Sequence, residues 1–301
     1  MMRKLIAIIF FFVILCIQGH SVAAQTIGVV MTGDIKYYQD IHSAFVDNAN
    51  QQGVKMIVQK PMPDPMSWTN SVRKLITLGS DVIIAYGAPA TLMTMKLTSD
   101  IPIVFAGVYD PKAMHMTGKN ATGISATVPV KTMLKNLSSI AKKSKLGIVL
   151  SKAEKDSILQ TKAIKKTESK YGYKSVLFNV SKKTNTDKMK GLDVILLTTC
   201  SAGMMNIQKV IEVARINKIP TASLIGGAED AGVVLTISAN PVEQGQKLAG
   251  IVKRVIGGAK PSNIPVMHPE KFDLCVNLKA AKAIGVDIPP ELLKLATRII
   301  E

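Results

Sequence analysis

The chain has 301 residues, 47% of them hydrophobic and 20% charged, with a formal net charge of +17. That apolar content excludes a disordered polymer, and three cysteines in so long a chain exclude a disulfide-built scaffold. Excess positive charge does not single out nucleic acid, because aromatic residues are only 5% and no DNA- or RNA-reading motif is present.

Arg3 and Lys4 begin the chain, Leu5 to Ile17 is an apolar run, and Val22-Ala23-Ala24 offers small residues to a peptidase. This is the pattern of a cleavable secretory leader over residues 1–24, with cleavage between Ala24 and Gln25 and a periplasmic or otherwise extracytoplasmic destination. The apolar run is short for a spanning helix and is broken by Gln18, Gly19 and His20. Cys16 raises a lipid anchor as the alternative, which large Leu15 fits badly. Removing the first 24 of 301 residues leaves 277, enough for one large domain or two medium ones. Cys200 and Cys275 then remain, and free thiols are expected.

After the leader, apolar β-rich runs recur at 26–31, 55–58, 82–86, 103–108, 146–150, 175–180, 194–197, 221–224 and 233–237. Helical spacing separates most of them: Met133, Leu134, Leu137, Ile140 and Ala141 share one face, and Ile207, Val210, Ile211 and Ala214 share another. Strands alternating with helices predict an α/β chain of parallel sheets covered on both faces. Asn120 to Ser125 reads as a short extended piece, and Ser238-Ala239-Asn240-Pro241 interrupts the rhythm again. If the chain crosses between lobes at both places, and a third time near 269–276, lobe 1 comprises 25–126 with 241–268, and lobe 2 comprises 127–240 with 269–301. A single open sheet of about nine strands is the alternative. Charge is uneven along this order. Residues 131–190 hold 16 lysines against Glu154, Asp156, Glu168 and Asp187, which reads as solvated lysine-rich helix faces or as a surface for an anionic partner such as lipid head groups.

Several segments together resemble a known family. They are Gly87-Ala88-Pro89-Ala90, Ile101 to Ala106 with Asp110-Pro111, Asn120 to Ser125, the tail Phe272 to Gly285, and Ile288-Pro289-Pro290. In order and spacing the chain resembles the extracytoplasmic substrate-binding proteins of ABC transporters, in the subfamily with tryptophan- and tyrosine-binding members. The resemblance implies the type I periplasmic-binding-protein fold: two Rossmann-like lobes joined by three crossover segments and closing over a ligand, expected from Asp110 and the Gly87–Ala88 helix start to be small and amino-acid-like. It implies a monomer working with an ABC permease in the membrane, and no cofactor. A secreted sensor presenting its bound state to a membrane receptor kinase is the alternative role. Three departures border the expected cleft. Ala88 stands where the family usually has a hydroxyl residue, Tyr109 where it has serine or threonine, and Ser151-Lys152-Ala153-Glu154 where it often has a Tyr-Asn-Pro turn.

Ligands of parallel α/β sheets bind beyond the carboxyl ends of the strands. The candidates at those ends are Tyr37, Tyr38, Gly87, Ala88, Tyr109, Asp110, Ser151, Thr199, Ser201 and Gly227. The free N–H groups of Gly87–Ala88 suit a carboxylate, Asp110 suits an ammonium, and the tyrosines suit an apolar or aromatic body. The plainer reading of Asp110-Pro111 is a turn, and of Tyr37-Tyr38 ordinary packing. Met114-His115-Met116 has soft-metal ligand types but no partner cluster, so no metal is expected. An enzyme is not expected either. A two-cysteine racemase would need opposed thiols from both lobes, Cys275 lies in the tail motif, and Ser201-Ala202-Gly203 lacks the flanking glycines of a nucleophile elbow.

Overall fold

The structure is a computed structural model and describes residues 25–49, 54–118, 120–141, 144–181 and 185–301. The expected leader, with Cys16, lies outside the described residues, as do Lys142, Lys143, Lys182 and Lys183.

Two sheets form, not one, so the single-sheet alternative falls. The first contains β1 (Gln25–Met31), β2 (Val54–Gln59), β3 (Val82–Tyr86), β4 (Ile103–Val108) and β5 (Ala121–Ser125), all parallel in the order β2-β1-β3-β4-β5. Every residue of β3 and β4 is buried, which is why their sequences are apolar without alternation. Helices α1 (Lys36–Asn48), α2 (Pro65–Thr77) and α3 (Ala88–Leu97) connect these strands. Asp64 starts α2 by accepting the Ser67 N–H at 2.9 Å, ahead of Pro65 in the first turn.

The second lobe follows with α4 (Val130–Ile140), β6 (Lys145–Leu150), α5 (Lys155–Thr167), β7 (Lys174–Asn179), β8 (Val194–Leu197), α6 (Ser201–Met205), α7 (Ile207–Ile216), β9 (Thr221–Ser223) and β10 (Leu235–Ala239). The chain then leaves this lobe for α8 (Pro241–Ile256) and returns for β11 (Phe272–Asn277), α9 (Leu278–Ala283), α10 (Pro290–Leu295) and β12 (Arg298–Ile300). The sheet order is β12-β11-β10-β9-β8-β6-β7, parallel except where β11 runs against β10. Met133, Leu134, Leu137 and Ile140 of α4 are buried as their spacing predicts. The strand expected from Val233 begins two residues later, and β12 is a strand that the sequence pattern did not announce.

Each sheet has a hydrophobic core on both faces. Helix α8 lies against α1, and Gly245 permits the approach. A Cβ there would sit 2.6 Å from the Ile41 carbonyl oxygen and 2.6 Å from the Phe45 nitrogen, inside any real contact. The first turn of α8 also gathers the segments that pass between the sheets. Asn240 donates to both Asp273 oxygens at 2.9 and 3.1 Å, and Glu243 accepts from the Glu270 and Lys271 N–H groups at 3.0 and 2.8 Å. Gln244 accepts from Gly107 N at 2.9 Å and donates to the Ser125 carbonyl at 3.3 Å.

Candidate functional site

The carboxyl ends of both sheets face one another, and the lobes touch there. On the first lobe, β3 ends at Gly87, whose φ of 85° places it in the left-handed region and turns the chain into α3. A Cβ on Gly87 would meet the Tyr38 hydroxyl at 2.6 Å and Thr32 Oγ1 at 2.5 Å, so the phenol lies directly on the glycine backbone. Burial holds the Tyr38 phenol well above its ordinary pKa, and the nearby Asp156 and Glu154 carboxylates push the same way.

Asp156 and Glu154 come from the second lobe. Asp156 lies in the first turn of α5, is 1% exposed, and accepts the Tyr109 N–H of the opposite lobe at 3.1 Å. The Ala88 N–H, at the start of α3, also bonds to it. Burial pushes Asp156 up to about 8; the Tyr109 and Ala88 bonds pull it down, and the Glu154 charge adds to the rise. Glu154, also buried, accepts from Ser201 N at 2.9 Å and Ala202 N at 3.2 Å, at the start of α6. Burial raises its pKa too, partly offset by those bonds. Among the described residues no Lys, Arg or His side chain forms an ion pair with either carboxylate.

The floor of the second lobe is held by side chains of α5. Gln160 accepts from Thr199 N at 2.6 Å and donates to Thr199 Oγ1 at 2.9 Å. Ser157 Oγ receives the Ser151 N–H at 2.9 Å and shares a 2.6 Å hydrogen bond with Thr198 Oγ1. The ends of β6 and β8 are thereby fixed beneath the two acids.

The structure thus brings Tyr38, Gly87, Ala88 and the Tyr109 backbone opposite Ser151, Thr199 and Ser201. The other candidates have different surroundings. Tyr37 donates its hydroxyl to the Ala239 carbonyl at 3.0 Å and receives Gln244 Nε2 at 3.2 Å, tying α1 to the crossing region. Gly227 lies against α1, where an added Cβ would be 3.0 Å from Lys36 Cβ. The Tyr109 ring joins the hydrophobic core of the second lobe. Asp110 accepts the Ala113 N–H at 2.9 Å, as a turn residue does, and borders a cavity of about 310 Å³ with Lys112, Thr127, Ile264 and His268. Met114 and Met116 are core residues beside Phe105 and Val108. Cys200 and Cys275 are free and buried, and burial pushes each thiol up to about 12. Sequence reasoning placed Glu154 only in a turn bordering the expected cleft and passed over Asp156. The available signal was two acids at a helix start beyond a strand end, inside a stretch that otherwise carries lysines.

The profile of the family described as "ABC transporter substrate binding protein" matches residues 29–300. Among solved structures, a conserved domain protein of Vibrio cholerae O1 biovar El Tor is 21% identical, with a TM-score of 0.84, over 92% of this chain and 99% of that one. An ABC domain from Streptococcus pneumoniae in complex with L-Trp is 20% identical over the same shares, also with a TM-score of 0.84. The ligand-free, open substrate-binding protein CD0873 of Clostridium difficile is 23% identical, with a TM-score of 0.66, again over 92% and 99%. No curated protein matches the chain.

Proposed function

The chain belongs to the family of ABC transporter substrate-binding proteins, and from that premise we propose that it is exported and captures a small solute bearing an ammonium group, an amino acid or a related amine. The family consists of solute-binding proteins rather than enzymes. Export is supported by the leader pattern, and no helix among the described residues is long and apolar enough to cross a membrane. The working unit in this reading is a monomer that delivers to an ABC permease. Its lobes comprise 25–126 with 241–268 and 127–240 with 269–301, a division supported by α8 lying on α1 and by β11 joining the second sheet.

The observation that carries the ligand class is the pair Glu154 and Asp156. Two buried carboxylates lie between the lobes with no cationic side chain paired to them among the described residues, which is costly unless a cation arrives or a proton stays. An ammonium supplies the missing charge and makes charge-assisted bonds to both. This reading gives Asp156 the role that the strand-end pattern suggested for Asp110. It also fills the α3 start, since the Ala88 N–H already serves Asp156. Tyr38, Tyr109, Ser151, Thr199 and Ser201 complete the surroundings of the solute, and Gly87 lets Tyr38 come close.

The test is a thermal-shift screen of the mature protein against amino acids, simple amines, sugars and small anions, followed by Asp156→Asn. A ligand that binds only the folded state raises the midpoint by mass action. Cationic hits that weaken in Asp156→Asn support the reading. Hits confined to sugars or anions sink the ligand class while leaving the family assignment intact.

A further inference from the structure

The basic run of the second lobe is more one-sided in space than in sequence. Between Lys131 and Lys190 lie 16 lysines and four acids, whereas residues 25–126 hold eight Lys and Arg against seven Asp. Folding takes two of the four acids off that surface and leaves Glu168 half-buried and Asp187 exposed. Glu154 and Asp156 turn into the cleft, Glu168 receives the Ser175 N–H at 3.2 Å, and Asp187 is paired with Lys190 at 2.9 Å. Every described lysine of the run is exposed, and Lys190 alone among them has an ion-pair partner within the described residues.

The geometry makes one face of these charges. Helices α4 and α5 lie side by side over the same core, and α5 runs through a tight turn at Glu168–Tyr171 into β7. Lys165, Lys166, Lys170 and Lys174 follow that path. Strand β7 is a sheet edge, paired only to β6, and it exposes Val176 by 42% and Leu177 by 44%. Val176 and Leu177 are consecutive and point to opposite faces of the strand, so they flank the open sheet edge beside the lysines, where Asp193, which accepts the Lys145 N–H at 2.8 Å, adds one carboxylate.

We propose that this face of the second lobe docks on an anionic lipid surface, with the lysines against headgroup phosphates and Val176 and Leu177 at the headgroup boundary. Flexible point charges spread over helices, turn and strand suit a diffuse sheet of phosphates, not one shaped partner. A lysine at the edge strand disfavours pairing with a strand of another chain. The site is independent of the ligand in the cleft. Its effect is to hold the protein near the membrane surface, where an attraction of this kind extends about a Debye length.

The test is flotation of the mature chain with vesicles of phosphatidylcholine, alone or mixed with phosphatidylglycerol, at low and high salt. Recovery with the anionic vesicles alone, lost at high salt, is expected. The triple variant K165E/K166E/K170E should lower partitioning at least about tenfold, given the contribution of each lysine near an anionic surface. R73E/K74E/K96E makes the same charge change on the first lobe and should alter partitioning by less than about twofold. Val176→Ser with Leu177→Ser should weaken binding without changing its salt dependence. The neutral set K165Q/K166Q/K170Q repeats the test if the reversed charges impair folding. Equal loss in both charge-reversal triples, absence of vesicle binding at low salt, or binding only to a soluble acidic protein or polyanion would overturn the proposal.

Discussion

The Asp156 carboxylate of the second lobe holds the Tyr109 N–H of the first at 3.1 Å, so an acid pushed up to about 8 forms the contact between the lobes. Burial favours the protonated form of this group in the ligand-free protein. A cationic solute would replace that proton, and the first two predictions follow from the exchange.

Asp156→Asn keeps the shape and the acceptor for Tyr109 N but cannot ionise. It is expected to weaken binding of an ammonium ligand by about 2–5 kcal/mol, as removing one side of a buried charged pair does. Titration calorimetry on the hit from the amine screen measures it. Unchanged affinity would mean that the ammonium lies elsewhere.

The pH dependence has a defined sign. An ammonium favours ionised Asp156, so the bound pKa lies below the free value of about 8, and binding releases a proton between the two. Affinity for an amine that stays charged should therefore rise with pH and level off above about 8. Calorimetry at pH 7 in buffers of different ionisation heat should report proton release. Without ligand the sign reverses. The folded pKa exceeds the ordinary 3.8, so the folded protein binds more protons across that window and its stability falls as pH rises through it. Asp156→Asn should flatten that fall in thermal midpoint.

Asp110→Asn is expected to change ligand affinity by less than about 1 kcal/mol, since its carboxylate accepts from Ala113 N and an amide oxygen can do the same. A loss as large as that of Asp156→Asn would restore Asp110 as the ammonium partner.

Gly245→Val should destabilise the first lobe by about 1–3 kcal/mol, the cost of overpacking, because the nearest atoms are the Ala44 Cβ and the backbone of α1, none of which can turn away. Denaturant unfolding measures this. A variant as stable as the parent would show that α8 can move off α1 freely.

Mass spectrometry of the exported protein should give Gln25 as the first residue, and a lipid on Cys16 would refute the leader reading. Small-angle scattering of that mature form should show compaction when the identified ligand is added, as expected for hinge closure. An unchanged radius at saturation would argue against it.

Much of the fold was legible because its strands are wholly buried. Runs such as Ile103–Val108 have only one stable environment, between two helical layers. β12 was not legible, since three residues after a short helix carry no periodicity, and its pairing with β11 is a tertiary fact. At the site, the Gly87–Ala88 N–H groups read as a place for a ligand carboxylate, whereas in the fold the Ala88 N–H serves the carboxylate of Asp156 and Tyr38 lies on Gly87. Glu154 and Asp156 were hidden by an ordinary disguise. Acids at a helix start normally serve the helix dipole in water, and segments remote in sequence bury these two, α6 over Glu154 and the first lobe over Asp156. Tyr109 shows the converse, an aromatic at a first-lobe strand end whose ring completes the second lobe's core.

The first turn of α8 bonds to every segment that runs between the sheets: Asn240 to Asp273, Glu243 to Glu270 and Lys271, and Gln244 to Ser125. A joint gathered at one point behaves as a bearing, allowing rotation while resisting slippage. None of these side chains belongs to the surroundings assigned to the solute. Stiffening or loosening the bearing would therefore alter how quickly the jaws exchange shape and leave unchanged what they recognise. Capture speed and chemical selectivity would then answer to different substitutions, the first to those around Glu243 and Gln244 and the second to those around Asp156.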